Sequence, residues 1–186
     1  MWIIISLLVV AVVLILLYLW CLKGRAGHPR LPELRRWNYA HRGLHDAEKP
    51  ENSMAAFRAA LAGGYGIELD IHLMRDGNLA VIHDSLLSRT VGVDARIEDL
   101  STKDLSRYHL AGTGECIPLF TEVLDLFAGK APLIVELKVV DGNQVSLCEA
   151  ACKLLDSYNG PYCIESFVDK SSIRASTPTV LDNKES

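Results

Sequence analysis

Between Gly66 and Asp84 the chain reads Gly-Ile-Glu-Leu-Asp-Ile-His-Leu-Met-Arg-Asp-Gly-Asn-Leu-Ala-Val-Ile-His-Asp. Ile67, Leu69, Ile71 and Leu73 alternate with Glu68, Asp70 and His72, the period of a strand with one apolar and one polar face. Asp76-Gly77 is a strong hairpin signal, so the stretch predicts two strands around a tight turn. With Asp76 and Gly77 as the two loop residues, Arg75 faces Asn78, Ile71 faces Ile82 and Asp70 faces His83. Directly opposed residues share a face with Cβ atoms about 4.5–5.5 Å apart, which gathers Asp70, His83 and Glu68 into one polar cluster. A slip of one residue would break that pairing. The same pattern also describes a plain hairpin with a solvated outer face. What argues for a site is the rest of the chain: a second histidine precedes in Ala40-His41-Arg42-Gly43, and another acid follows in Val135-Glu136-Leu137-Lys138.

Trp2 to Leu22 is apolar apart from Ser6 and carries no charge. At about 1.5 Å per residue a helix of this length spans roughly 30 Å, the thickness of a bilayer's hydrocarbon core. Residues 1–22 are therefore read as a transmembrane helix. A cleaved signal peptide would bring a positive n-region and a small-residue cleavage site, and neither is visible. Lys23, Arg25, Arg30, Arg35 and Arg36 follow the span and nothing basic precedes it, so the positive-inside rule predicts a single-pass membrane protein with the remainder in the cytoplasm. Residues 23–36 read as a basic juxtamembrane linker suited to anionic lipid headgroups. The formal net charge of −4 argues against a nucleic-acid partner. Five cysteines without paired spacing suit a reducing compartment.

Beyond residue 36 the 186-residue chain alternates strand and helix. Trp37–Ala40 reads as a first strand, and Asn52 or Ser53 caps a helix through Met54–Leu61 that Gly63-Gly64 ends. From Ser85 to Pro118 the sequence is polar and irregular, an excursion of the kind that borders sites, with a short helix at Ser101–Tyr108. A helix at Phe120–Phe127, a strand at Leu133–Val140, a helix at Val145–Leu155 and a fifth strand at Tyr162–Phe167 follow. Residues 168–186 lack a sustained apolar period and read as an irregular tail.

Strand-helix alternation with polar residues at several strand ends is the layout of an α/β barrel site. Glu68, Asp70 and Glu136 offer three hard oxygen donors, suited to Mg²⁺ or Ca²⁺ rather than zinc. His41 and His83 are candidates for acid and base near neutral pH. Together His41-Arg42-Gly43, Glu51-Asn52-Ser53, Glu68-Leu69-Asp70, Asp76-Gly77, His83-Asp84, Ile117-Pro118, Glu136-Leu137-Lys138 and Glu165-Ser166-Phe167 occur in the order and spacing of the glycerophosphodiester phosphodiesterase domain. Residues 37–167 thus resemble that family.

The resemblance implies a (β/α)₈ TIM-barrel-like domain that hydrolyses glycerophosphodiesters, or lysophospholipid-like substrates, to glycerol 3-phosphate and an alcohol. By position, His41 and His83 would be the catalytic acid and base, and Glu68, Asp70 and Glu136 would hold the divalent cation. Arg42 and Lys138 would meet the substrate phosphate, with Glu51 and Glu165 supporting the site from behind. Plain ion pairs, Arg42 with Glu51 and Lys138 with Glu136, are the competing reading. His72, His45 and His109 match no motif and read as surface or internally satisfied residues. Such barrels run to about 250 residues, and five of eight strands are expected here. An incomplete, inactive remnant serving as a membrane-tethered binding module is the alternative to an enzyme.

Overall fold

A computed structural model describes residues 2–22 and 31–166. The chain divides into two compact units, Met1–Arg35 and Arg36–Ser186. The first holds helix α1, Trp2–Leu22, and the short helix α2, Leu31–Arg35. The described side chains of α1 are Ile5, Ser6 and 9–20, all exposed. Among the described residues no helix is long and apolar enough to cross a membrane, so the expectation of a span rests on sequence alone. Most of the basic linker and the tail at 168–186 lie outside the described residues.

In the second unit, strand and helix alternate as β1 (Tyr39–His41), α3 (Met54–Ala62), β2 (Gly66–Leu73), β3 (Leu79–Val81), α4 (Phe120–Phe127), β4 (Leu133–Leu137), α5 (Gln144–Leu155) and β5 (Tyr162–Glu165). Strands β1, β2, β4 and β5 are parallel neighbours in that order, while β3 pairs antiparallel with β2. Because β2 meets β4 along 67–71, β1 at 66–68 and β3 at 71–73, the last two share its other edge end to end. Five strands form as expected, but β3 is antiparallel and does not count towards a (β/α)₈ barrel. The described residues thus supply four barrel strands, not five.

The helices cover one face of this sheet. Ile67, Leu69 and Ile71 of β2 and Leu133, Val135 and Leu137 of β4 pack against Phe57 and Ala60 of α3, Phe120, Val123 and Phe127 of α4, and Leu147 and Ala151 of α5. Helix α3 starts where the Ser53 hydroxyl accepts from the Ala56 N–H at 3.1 Å, so Ser53 rather than Asn52 is the cap. Helix α4 starts where the Glu122 carboxylate reaches back to the Leu119 N–H at 2.7 Å.

The hairpin departs from its predicted register. Leu73 pairs with Leu79, His72 with Ala80 and Ile71 with Val81, one residue away from the expected Ile71–Ile82 pairing. Asp76 keeps an ordinary backbone and only Gly77 has positive φ, at 83°. The loop therefore has three residues, Arg75 to Gly77, closed by Met74 N–H to Asn78 O at 2.9 Å and Gly77 N–H to Met74 O at 3.0 Å. This is the three-residue loop in which a left-handed glycine follows a type I turn. Packing supplies the second reason: Leu79 and Val81 join the main core, while Ala80 and Ile82 join a separate one.

That separate core belongs to the excursion at Ser85–Pro118. Met74, Ile82, Leu87, Ile97, Leu100, Leu105, Leu110 and Ile117 are buried together, so the segment folds around its own apolar centre despite its polar composition. Its 3₁₀ turn, Thr102–Arg107, begins where Asp104 accepts from the Ser101 N–H and hydroxyl at 2.9 and 2.7 Å.

Two glycines test how tightly these turns are built. Gly43 has φ 81° and a Cβ there would come within 2.9 Å of the Ala56 Cβ, whereas Gly77, with φ 83°, has open space around it. Gly77→Ala should cost about 1 kcal/mol and Gly43→Ala at least about twice that, measured by urea denaturation. Equal losses would show that the space around Gly43 is not limiting.

Candidate active site

The acids meet because of strand pairing. Glu68 and Asp70, two apart on β2, share a face, and the parallel register sets Asp70 beside Glu136 of β4. One carboxylate oxygen from each lies within 4.8 Å of the others. All three residues are buried, so this face is an interior surface and not the solvated face a plain hairpin would show. Glu165 stands in register with Glu136 on β5 and extends the acidic row, but it is exposed and outside the close trio.

Cations and amides answer this charge. Lys138 Nζ lies 2.6 Å from Glu136 Oε1 and 2.9 Å from Asp70 Oδ1. Arg42 donates its backbone N–H to Glu68 Oε2 at 3.0 Å, and its Nε lies 3.5 Å from Asp70 Oδ2. Asn52, with φ 54°, donates its side-chain amide to Asp70 Oδ2 at 2.8 Å. It is an Asp70 partner, a role its sequence position beside a helix start had hidden. Burial would raise the Asp70 carboxyl, but hydrogen bonds from Asn52 and Lys138 outweigh it and hold the group below its ordinary value. Glu68 goes the other way: burial first, then the Asp70 charge, push it up to about 7. Asp70 Oδ1 receives no well-aligned hydrogen bond although Lys138 is close. A buried, incompletely bonded carboxylate beside two others is a donor set that fits a hard divalent cation.

At the end of β1, His41 pairs in register with Glu68, and its Nε2 lies 3.7 Å from Glu68 Oε2 with the imidazole 69% exposed. The next two residues turn sharply, with φ 55° at Arg42 and 81° at Gly43, and Arg42 Nη1 reaches Glu51 Oε1 at 3.2 Å. The expected ion pairs, Arg42 with Glu51 and Lys138 with Glu136, are both present. These contacts are what the ion-pair reading expects, and they set both cations beside the acids.

His83 does not reach the site by cross-strand pairing with Asp70, since the shifted register puts Ile82 there, with Ile82 N–H to Asp70 O at 3.0 Å. The chain leaves the ladder after Val81, and His83 turns into a cleft of about 600 Å³ that it lines with Leu86, Arg89, Glu136, Lys138 and Val139. Its Nδ1 lies 2.7 Å from Asp84 Oδ1. Burial would raise Asp84, but hydrogen bonds from Arg89 and His83 outweigh it and keep it below the ordinary value. An ionised carboxylate only accepts, so Asp84 assigns the proton to Nδ1 and leaves Nε2 for other contacts. Arg89 bridges Asp84 and Glu51, the latter at 2.6 Å from Nη2. Asp84 and Arg89 went unassigned from sequence; Asp84 stood beside a noted histidine, but Arg89 carried no local signal. His72, taken as surface or satisfied, is the latter: 1% exposed, with both ring nitrogens engaged.

A sequence profile of the glycerophosphoryl diester phosphodiesterase family matches residues 41–161. A glycerophosphodiester phosphodiesterase of Bacillus altitudinis is 38% identical over 109 residues, covering 54% of this chain and 44% of its own. Lysophospholipase D of Rattus norvegicus is 33% identical over 132 residues, covering 64% of this chain and 40% of its own. The chain spans about half the length of the curated relatives it matches. Among solved structures, an Oleispira antarctica phosphodiesterase in complex with the product sn-glycerol-3-phosphate superposes with a TM-score of 0.64 at 27% identity, over 71% of this chain and 57% of that one. The α/β sheet described above is therefore TIM-barrel-like.

The raised Glu68 gives a signed pH dependence. Between its ordinary value of 4.5 and about 7 the folded protein binds the extra proton, so this group's contribution is complete below 4.5 and is lost as pH rises to 7. Denaturation in EDTA should show that loss, and Glu68→Gln should flatten the profile across this window. An unchanged slope in the variant would assign the dependence elsewhere.

Proposed function

Because the chain belongs to the glycerophosphoryl diester phosphodiesterase family, we propose that it hydrolyses glycerophosphodiesters to glycerol 3-phosphate and an alcohol with the help of a divalent cation. The observation that carries this reading is the buried trio Glu68, Asp70 and Glu136, with ligand oxygens within 4.8 Å of one another and Lys138 and Arg42 alongside. Those three carboxylates would hold Mg²⁺ or Ca²⁺, and the bound ion would offset the diester's negative charge and polarise a phosphoryl oxygen.

The chain's own residues supply the remaining chemistry. Arg42 and Lys138 meet the phosphate oxygens and stabilise the charge that builds up on them as the bond to phosphorus forms. His41 and His83 act as the acid and base pair. One removes a proton from the attacking water as its oxygen bonds to phosphorus, and the other gives a proton to the alkoxide that leaves as the alcohol and would otherwise be a poor leaving group. Asp84 keeps the His83 ring in one tautomer, and Glu51 holds Arg42 and Arg89 in place; Glu165 adds negative charge at the edge of the row. The apolar flank of the cleft at Leu86, Val139 and Val140, together with the likeness to lysophospholipase D, supports diesters that carry an apolar group as well as glycerophosphocholine.

Placement at a membrane completes the proposal. The uncharged sequence at 2–22, roughly 30 Å long as a helix at about 1.5 Å per residue, and the basic residues at 23–36 support an anchor that leaves the domain on the cytoplasmic side. This would present the cleft to lipid-derived substrates.

Release of glycerol 3-phosphate from glycerophosphocholine by the full chain in detergent, with Mg²⁺, with Ca²⁺ and with EDTA, tests the reading. Turnover should vanish in EDTA, and His41→Ala and His83→Ala should each lower kcat by about 10²–10⁴-fold. A folded chain without turnover under any of these conditions would instead favour a tethered binding module.

A further inference from the structure

His72 is 1% exposed and touches neither the acid trio nor the cleft's phosphate side chains by any hydrogen bond. It nevertheless stands on the same face of β2 as Glu68 and Asp70, one alternation further towards the strand's end. Its Nδ1 lies 2.7 Å from Glu98 Oε1, and its Nε2 lies 3.1 Å from the backbone carbonyl oxygen of His83. The other oxygen of Glu98 accepts from the Ser85 hydroxyl at 2.6 Å, and the Ile97 N–H donates to the Ser85 carbonyl at 2.9 Å.

These bonds grip the chain on both sides of Asp84. That matters because the last backbone bond of the hairpin is Ile82 N–H to Asp70 O, so beyond it the hairpin register does not dictate where His83 goes. The His83 carbonyl finds its hydrogen bond on the His72 ring, and Ser85 finds its partners on Glu98 and Ile97, in the excursion's 3₁₀ turn Ile97–Asp99. A solvated loop could place an imidazole only loosely, whereas a buried ring bonded at both nitrogens has one orientation. We propose that His72 and Glu98 are positioning residues for His83, fixing the backbone from which its imidazole enters the cleft. This rests on the acid–base role given to His83 above.

The position of the His83 ring and the rate of turnover separate a positioning role from a merely structural one. The full chain, in detergent with Mg²⁺ and ¹⁵N-labelled histidine, is compared with His72→Ala, His72→Gln and Glu98→Gln. The His83 ring signals are identified by their loss in His83→Gln. In His72→Ala and Glu98→Gln those signals should shift or broaden, and kcat on glycerophosphocholine should fall tenfold or more while KM stays within about threefold. His72→Gln, which keeps a side-chain donor, should recover part of both. Glu98→Gln preserves shape, so it decides the matter if His72→Ala does not fold. Unmoved His83 signals overturn the proposal whatever the turnover, and so does an unchanged kcat in an active parent whose variants are folded. An inactive parent whose His83 signals still move in the variants would instead refute the enzymatic reading and leave the positioning pair standing.

Discussion

Three carboxylates buried within reach of one another are the constraint to which the rest of this structure answers. Removing an unpaired charge from water is expensive, and like charges at such distances repel strongly in a poorly polarisable interior. The parallel register of β2 and β4 forces the encounter, because it sets Asp70 beside Glu136 with Glu68 on the same face. The response is asymmetric. Asp70, hydrogen-bonded to Asn52 and paired with the Lys138 ammonium, keeps its charge, whereas Glu68, with one backbone donor and acidic neighbours in Asp70, Glu136 and Glu165, holds a proton far more readily. A divalent ion would reverse that preference, because its charge would favour the ionised form of all three carboxylates.

The remaining polar groups form a belt around this centre. Arg42, Glu51, Arg89, Asp84 and His83 follow one another through direct contacts, linking the turn after β1 to the chain beyond β3. Side chains with little in common in sequence therefore share each other's orientation. Glu51 accepts from two arginines at once, and these contacts outweigh the effect of burial and keep its carboxyl below its ordinary value. Such a network is rigid only when complete.

Much of this was legible in the sequence. The alternation over Ile67–Leu73 identified a strand and its polar face, and the apolar spacing of Phe120–Phe127 and Leu147–Leu155 identified helices whose buried sides cover the sheet. The acid trio followed from motif spacing and strand periodicity. The hairpin register did not, because Asp-Gly is compatible with both two- and three-residue loops, and the choice was made by which of Leu79 or Ala80 joins the larger core. The excursion's own core was hidden for a related reason: Leu87, Ile97, Leu105 and Ile117 are too widely spaced to show any period and meet only in three dimensions. His72 was illegible as a partner of His83 because a carbonyl group leaves no trace in side-chain patterns.

The first turn of α3 holds one more contact, in which the Ala55 N–H donates to Glu115 Oε2 at 2.9 Å between residues 60 positions apart. The contact joins the segment that carries Glu51 and Asn52 to the far end of the excursion. Long loops must close before such a bond can form, and closure entropy rises with the length enclosed. The Ala55 amide is therefore protected by this bond only while the excursion is docked, which makes it a reporter of that docking. The same bond ties the segment bearing Glu51 and Asn52 to the excursion, so undocking the excursion would loosen two partners of the polar site at once.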